Sequence, residues 1–237
     1  MQIRILFDNQ SINSSFQSGL GFSCLLGDDV LFDTGADGLS LERNIQAFGV
    51  DVSLIKHIVI SHDHWDHIGG LWWVLEKIEN ATVYICPGFS HEFINKLEST
   101  NANIVECVSP LPITDRIWTT GQIEGRYKDQ AIFEQSIVLR GNQNISVVTG
   151  CAHPGIVEIL REIKSSFPKD SIDFVLGGFH LLHHFKNDIN VIIKEFQALD
   201  VKRAGPAHCT GGSAQNLFKE SYQENCLDLR AGSRIAV

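Results

Sequence analysis

The 237-residue chain has no apolar run long enough to span a bilayer. Its start, Met1-Gln2-Ile3-Arg4-Ile5-Leu6-Phe7-Asp8, alternates like a strand and lacks the apolar core and small-residue cleavage site of an export signal. No membrane association is expected, and a cytoplasmic location is. Basic residues are scarce: 19 Lys and Arg stand against 28 Asp and Glu, a formal net charge of −9. That balance argues against nucleic acid or an anionic membrane as partner, because both need a basic face. An anionic small substrate stays open, since bound cations reverse the local field. No CxxC pair occurs. Cys24, Cys86, Cys107, Cys151, Cys209 and Cys226 are scattered, which suits reduced thiols better than a disulfide framework. No low-complexity linker divides the chain, so one domain over 1–237 is expected, with 43% hydrophobic residues to build its core.

What is present is a succession of short strands and helices. Gly21 to Leu26 and Val30 to Phe32 read as strands joined by the turn triplet Gly27-Asp28-Asp29, a hairpin that ends at Asp33-Thr34-Gly35. A helix starting at Asp37 or Ser40 carries Leu41, Ile45 and Phe48 at helical spacing, and Gly49 stops it. The β-branched run Lys56 to Ser61 leads into a histidine cluster, and a helix over Gly69 to Ile78 leaves it. Strand Thr82 to Cys86, a helix near Phe89 to Leu97 and strand Asn103 to Val108 follow. Pro110-Leu111-Pro112 and Gly121 to Asp129 read as irregular, the latter as a surface loop. Glu134 to Leu139 and Asn144 to Thr149 pair across Gly141-Asn142. After His153-Pro154-Gly155 come a helix to Phe167, strand Ile172 to Leu176, a helix from about Asn187 to Leu199 and strand Val201 to Ala204. Hairpins alternating with strand–helix units predict mixed sheets covered by helices, an α/β (mixed α+β) class.

The ten histidines are not randomly placed. His62, His64, His67, His153, His180 and His208 fall where strands end, whereas His57, His91, His183 and His184 lie outside or beside these motifs. Ser61-His62-Asp63-His64-Trp65-Asp66-His67 supplies five candidate metal donors in seven residues. In His62-x-His64-x-Asp66-His67 a tight loop presents imidazoles and a carboxylate to a common point, a donor set suited to zinc, iron or manganese. A histidine-rich polar surface loop is the bland alternative, and distant His153 and His208 weigh against it.

This loop, with Asp33-Thr34-Gly35 before it and Gly150-Cys151-Ala152-His153 and His208 after it, resembles the metallo-β-lactamase superfamily over essentially the whole chain. The resemblance implies a four-layer αββα sandwich of two mixed β-sheets flanked by helices. It also implies two divalent metal ions, zinc in the first place, with manganese or iron as options. Position by position, it implies His62, His64 and His153 on the first ion and Asp66, His67 and His208 on the second. Asp33 would orient the ligand loop through hydrogen bonds, against a plain role as a turn residue. The superfamily usually has an aspartate bridging both ions after the strand that here ends in Leu176-Gly177-Gly178-Phe179-His180, and no aspartate stands there. His180 is thereby a candidate ligand, hydrogen-bond partner or substrate contact, with a structural histidine as the alternative. Asp66 and His180 are the candidate catalytic residues.

Three stretches are more specific than the fold: Thr149-Gly150-Cys151-Ala152-His153-Pro154-Gly155-Ile156, Gly177-Gly178-Phe179-His180-Leu181 and Pro206-Ala207-His208-Cys209-Thr210-Gly211. Together they resemble the family named for 7,8-dihydropterin-6-methyl-4-(β-D-ribofuranosyl)aminobenzene-5′-phosphate synthase, associated with methanopterin biosynthesis. That implies a phosphorylated small-molecule substrate, with metals gripping a pyrophosphate leaving group on a pterin while an arylamine attacks its methylene carbon. A hydrolase of phosphodiesters or (thio)esters using a metal-activated water is the alternative. A metal-binding sensor without catalysis is a third reading. Trp65, between ligand positions, is a candidate substrate-binding wall, and Trp72 and Trp73 read as helix core. His183 and His184 are candidate phosphate contacts, against a solvated loop. Cys151 and Cys209 flank His153 and His208; thiols can ligate metal, but small residues in tight turns read as packing. Arg126 and Lys128 are candidate anion contacts or simply exposed charge. Oligomeric state leaves no sign in the sequence.

Overall fold

The computed structural model describes residues 1–237. Strand β1 (Gln2–Phe7) pairs antiparallel with β2 (Ser23–Leu26), and the chain turns at Gly27, φ 62°, into β3 (Val30–Phe32). Helix α1 (Gly38–Phe48) starts at Asp37, whose side chain accepts the Ser40 N–H at 2.8 Å. It ends at Gly49 in the left-handed region, φ 68°. The helix buries Leu41, Asn44, Ile45 and Phe48, the side that a 3.6-residue period turns toward a core. Then follow β4 (His57–Val59), α2 (Trp65–Ile68), α3 (Leu71–Lys77), β5 (Thr82–Ile85), α4 (His91–Glu98) and β6 (Asn103–Glu106). Strands β3, β4, β5 and β6 are parallel neighbours.

The next stretch holds β7 (Leu111–Pro112), β8 (Ile117–Thr119), β9 (Ile123–Tyr127), β10 (Gln130–Glu134), β11 (Ile137–Arg140) and β12 (Asn144–Thr149). It continues through α5 (Ile156–Ser166), β13 (Ser171–Gly178), α6 (Lys186–Ala198), β14 (Arg203–Ala207) and α7 (Gly212–Tyr222), and β15 (Arg234–Ala236) closes the chain. Two units result, residues 1–108 with 230–237, and residues 109–229. The first contains a seven-stranded mixed sheet in the order β15-β1-β2-β3-β4-β5-β6. The second contains a six-stranded mixed sheet, β14-β13-β12-β11-β8-β7, and a separate β9–β10 ribbon. In that sheet β12, β13 and β14 run parallel side by side. Helices α5, α6 and α7 bury Ile156, Leu160, Ile193, Phe196 and Phe218 against Val147, Val175 and Ala204 of the strands. Each unit is thus a mixed sheet with helices, the α/β class expected. No helix is long and apolar enough to cross a membrane, and no disulfide forms among the six cysteines.

Three expectations are corrected. Gly121 to Asp129 is not an irregular loop but most of the β9–β10 hairpin. Its two turn residues, Lys128 (φ 48°) and Asp129 (φ 63°), are both left-handed. This is the two-residue turn that matches strand twist, built without the Asn-Gly or Asp-Gly pair that signals it. Glu134 to Leu139 is not one strand, because β10 ends at Glu134 and β11 begins at Ile137. Leu111-Pro112 forms β7 at the sheet edge, where a proline costs no ladder hydrogen bond. Strands β8 and β15 are three residues each, too short to show a period. Helix α7 buries only Ala214, Phe218 and Tyr222, a narrow stripe that reads weakly in sequence.

Candidate metal centre

In the first unit, Asp33 follows β3 and the histidine loop follows β4, so both leave parallel neighbouring strands side by side. Asp33 is fully buried and left-handed, φ 54°, which costs a non-glycine residue about 1–3 kcal/mol and persists only where its surroundings demand it. Its Oδ1 accepts the Ser61 backbone N–H at 2.7 Å. Its Oδ2 accepts Ser61 Oγ–H and His67 Nδ1–H, each at 2.7 Å. With its proton committed to Asp33, Ser61 Oγ accepts from His62 Nδ1–H at 2.8 Å. Both imidazoles are thereby set as Nδ1–H tautomers with the lone pair on Nε2, the arrangement that carboxylate and hydroxyl partners impose on metal-ligating histidines. Burial raises the Asp33 carboxyl above its ordinary range, and His67 and Ser61 oppose that rise.

The imidazoles are gathered. The His62 ring centroid lies 4.1 Å from that of His67 and 4.7 Å from that of His64, and Asp66 Oδ2 lies 3.9 Å from His67 Nε2. Thr34 donates its N–H and its Oγ–H to the His67 carbonyl, both at 2.8 Å, pinning the loop from below. Asp63 instead accepts the Ser90 N–H at 2.8 Å and serves the start of α4. A Cβ on Gly69 would lie 1.9 Å from the Ala36 carbonyl, so only glycine lets the loop close on this segment.

In the second unit, His153, His180 and His208 follow β12, β13 and β14, so three parallel neighbours end in histidine turns along one edge of the sheet. Left-handed backbone occurs at each exit, at Ala152 (φ 63°), His180 (φ 54°) and His208 (φ 46°). The turns are tied together. Thr149 Oγ–H donates to the Gly178 carbonyl at 2.8 Å, the Phe179 N–H donates to Thr210 Oγ at 3.0 Å, and Cys209 Sγ lies 3.6 Å from the Cys151 carbonyl. A Cβ on Gly178 would come within 2.3 Å of the Gly150 carbonyl, which explains the glycine there. The Cys151 Sγ with donor nitrogens of His153 and His180 forms one group, and the Sγ atoms of Cys151 and Cys209 with a His208 nitrogen form another. Within each group the donor atoms lie within 4.8 Å of one another.

Two residues that sequence reasoning missed complete this half. Glu134, buried at the end of β10, accepts the N–H groups of Cys151 (2.9 Å), Ala152 (2.8 Å) and His153 (2.8 Å), and His153 Nδ1–H at 2.9 Å. Burial alone would raise its carboxyl, but the His153 side chain and the turn amides outweigh burial and bring it down to about 2. Tyr127, the last residue of β9, sets its ring edge-on to His153 and His180, with centroids 5.4 and 6.1 Å away. The ribbon can approach because Gly125 lies against the His153 backbone, where a Cβ would meet the carbonyl carbon at 2.6 Å. A lone glutamate near a strand end and a tyrosine in a stretch that reads as irregular carry no sequence signal.

The remaining candidates separate. Trp65 opens α2 and is 60% exposed. His183 and His184 are exposed in the turn between β13 and α6, and neither belongs to a donor group. Trp72 and Trp73 are half-buried rather than core; Trp72 packs on Phe93 at 6.0 Å with Lys96 Nζ 3.8 Å from its ring centroid. Arg126 donates to the Asp129 carbonyl at 3.1 Å, and Lys128 Nζ lies 5.0 Å from the Tyr127 ring centroid, so both serve the ribbon turn.

The family model of the metallo-β-lactamase superfamily matches residues 26–115. The chain is 27% identical to 7,8-dihydropterin-6-methyl-4-(β-D-ribofuranosyl)-aminobenzene-5′-phosphate synthase of Methanocaldococcus jannaschii, over 96% of this chain and 93% of that protein. It is 31% identical to Tm1679, a metal-dependent hydrolase of the β-lactamase superfamily, whose solved structure matches with a TM-score of 0.82 over 100% of this chain and 99% of that one. The metallo-β-lactamase fold protein YhfI of Bacillus subtilis, 11% identical, shares the fold, with a TM-score of 0.72 over 99% of each chain. With its mixed sheets, its helices and its histidine turns at strand ends, this chain belongs to the metallo-β-lactamase superfamily.

Proposed function

We propose that this metal-dependent enzyme acts on a phosphorylated small molecule, with chemistry like that of the synthase to which it is similar along its length. The observation that carries the metal dependence is the pair of donor sets, each steadied by a buried carboxylate, Asp33 in one unit and Glu134 in the other. In this reading residues 1–237 work as one domain. His62, His64 and His153 hold one divalent ion, and Asp66, His67 and His208 hold a second. The donors fit such ions: Asp33, Ser61 and Glu134 fix Nδ1–H tautomers on His62, His67 and His153, and imidazole with carboxylate suits zinc first and also manganese or iron. When bound, the ions supply Lewis-acid polarisation of a phosphate and lower the pKa of water.

The chain's own groups do the rest. His180, its ring 4.5 Å from that of His153, holds or moves a proton at the substrate's leaving oxygen, and Tyr127 keeps its ring in place. Asp66 is assigned to the second ion and to proton uptake from the attacking group. Trp65 offers an exposed flat ring to a flat substrate, and exposed His183 and His184 contact its phosphate. Phosphorus NMR of the protein with a pterin pyrophosphate, with and without an arylamine, tests the reading. Pyrophosphate release that depends on the amine supports it.

A second reading, a metal-dependent hydrolase, is favoured by the 31% identity to Tm1679. Amine-independent cleavage within a panel of phosphodiesters and thioesters selects that reading instead. A purified protein that binds metal and turns over none of these substrates favours the metal-binding sensor; one that takes up no metal counts against all three.

A further inference from the structure

Cys151 stands where the two donor groups of the second unit meet. Its Sγ lies within 4.8 Å of donor nitrogens of His153 and His180, and equally within 4.8 Å of the His208 nitrogen and Cys209 Sγ. Atoms bound to one zinc ion at about 2.0–2.3 Å are at most about 4.6 Å apart. A small side-chain adjustment therefore lets Cys151 share an ion with His153, and a similar one lets it share an ion with His208. Its position is not left to a mobile side chain. Cys151 is buried, and the Glu134 carboxylate accepts its N–H and the next two in the same turn, so the Cβ is anchored on both sides. No carboxylate belongs to either group, and the Gly177-Gly178-Phe179-His180 turn brings none. A thiolate sulfur carries enough lone pairs to bond two ions at once.

We propose that Cys151 Sγ is a metal ligand lying between the ion of His153 and the ion of His208, joining the two where a carboxylate is missing. The inference rests on the assignment of those histidines to two ions made above. A thiolate in that place softens the donor set and favours zinc, cobalt or iron over manganese.

The test compares wild type, Cys151→Ser and Cys209→Ser, each loaded with zinc or with cobalt(II). Wild type is expected to hold two ions per chain and, with cobalt, to show a near-ultraviolet thiolate-to-metal charge-transfer band. The band should persist in Cys209→Ser and vanish in Cys151→Ser, which should also bind one of its ions about 10–100-fold more weakly, the scale of losing a supporting group at a metal site. Where Cys151→Ser fails to fold, the cobalt spectrum of Cys209→Ser decides: with the Cys209 thiol removed, the band should remain. Two bound ions without a thiolate band, a band that survives Cys151→Ser, or a band lost in Cys209→Ser overturns the role of Cys151 and leaves the histidine assignment standing. A wild type that holds fewer than two ions overturns both.

Discussion

Asp33 and Glu134 perform the same task in the two units: each is buried, each accepts hydrogen bonds from the backbone of a ligand turn, and each fixes the tautomer of an imidazole. Glu134 fills its acceptor capacity with four N–H donors, so replacing it turns an acceptor into a clash or a void. Glu134→Gln is expected to lower stability by about 1–3 kcal/mol and zinc affinity by about 10–100-fold. Thermal melts and chelator competition check both, and unchanged zinc affinity would remove Glu134 from the site. A second residue-scale prediction concerns alkaline pH. Burial pushes the Cys107 thiol up to about 12 and the Cys226 thiol up to about 11, from an ordinary 9.0. Above pH 9 the unfolded chain loses these protons while the folded chain keeps them, so their contribution to stability is full below that pH and is lost as pH rises through about 11 to 12. Cys107→Ala should show a shallower fall of melting temperature between about pH 9 and 11 than wild type. A slope as steep as that of wild type would contradict the burial argument.

At the scale of elements, the β9–β10 ribbon delivers both Glu134 and Tyr127 to the histidines, and it reaches them only because residue 125 has no Cβ. Gly125→Ala forces backbone apart and is expected to cost about 1–3 kcal/mol and to weaken zinc binding, whereas Ala131→Ser at an exposed position of the same ribbon should do neither. Calorimetry and metal titration decide. Helix α1 behaves differently because its determinants are local. Asp37→Ala removes the acceptor of the Ser40 N–H and should lower stability by about 1 kcal/mol without touching metal affinity. That contrast matches what each element's sequence discloses. The caps and apolar spacing of α1 are legible in a window of a dozen residues, whereas Lys128-Asp129 makes its turn with residues that carry no turn signature.

At the scale of the molecule, ligand turns from both units make metal occupancy a property of the whole chain in the proposed reading. Chelation should lower the melting temperature, and restoring zinc at about 100 times its dissociation constant should return about 2.7 kcal/mol of stability. His64→Ala in the first unit and His208→Ala in the second should each reduce bound metal and shrink that gain. Equal melting with and without chelator, or unchanged metal content in both variants, would defeat the dinuclear assignment. The similarity to Tm1679 covers 100% of this chain and that to the Methanocaldococcus jannaschii synthase 96%, so each includes residues of both units.

The amino-acid sequence by itself determined the class of fold, the helix α1 with its caps, the histidine loop after β4 and the three histidines after β12, β13 and β14, because each depends on neighbours within a turn or one strand. Set beside the superfamily it resembles, it also lacks an aspartate near His180. Only the tertiary structure decided which atoms surround those histidines. Glu134 meets the His153 turn from 17 to 19 residues away, and Cys209 meets Cys151 from 58 away. Those meetings depend on strand order, with β12, β13 and β14 parallel and adjacent and the β9–β10 ribbon folded onto their ends. Hydrophobic period and turn chemistry act along the chain, whereas a buried carboxylate or thiol finds its partners across it.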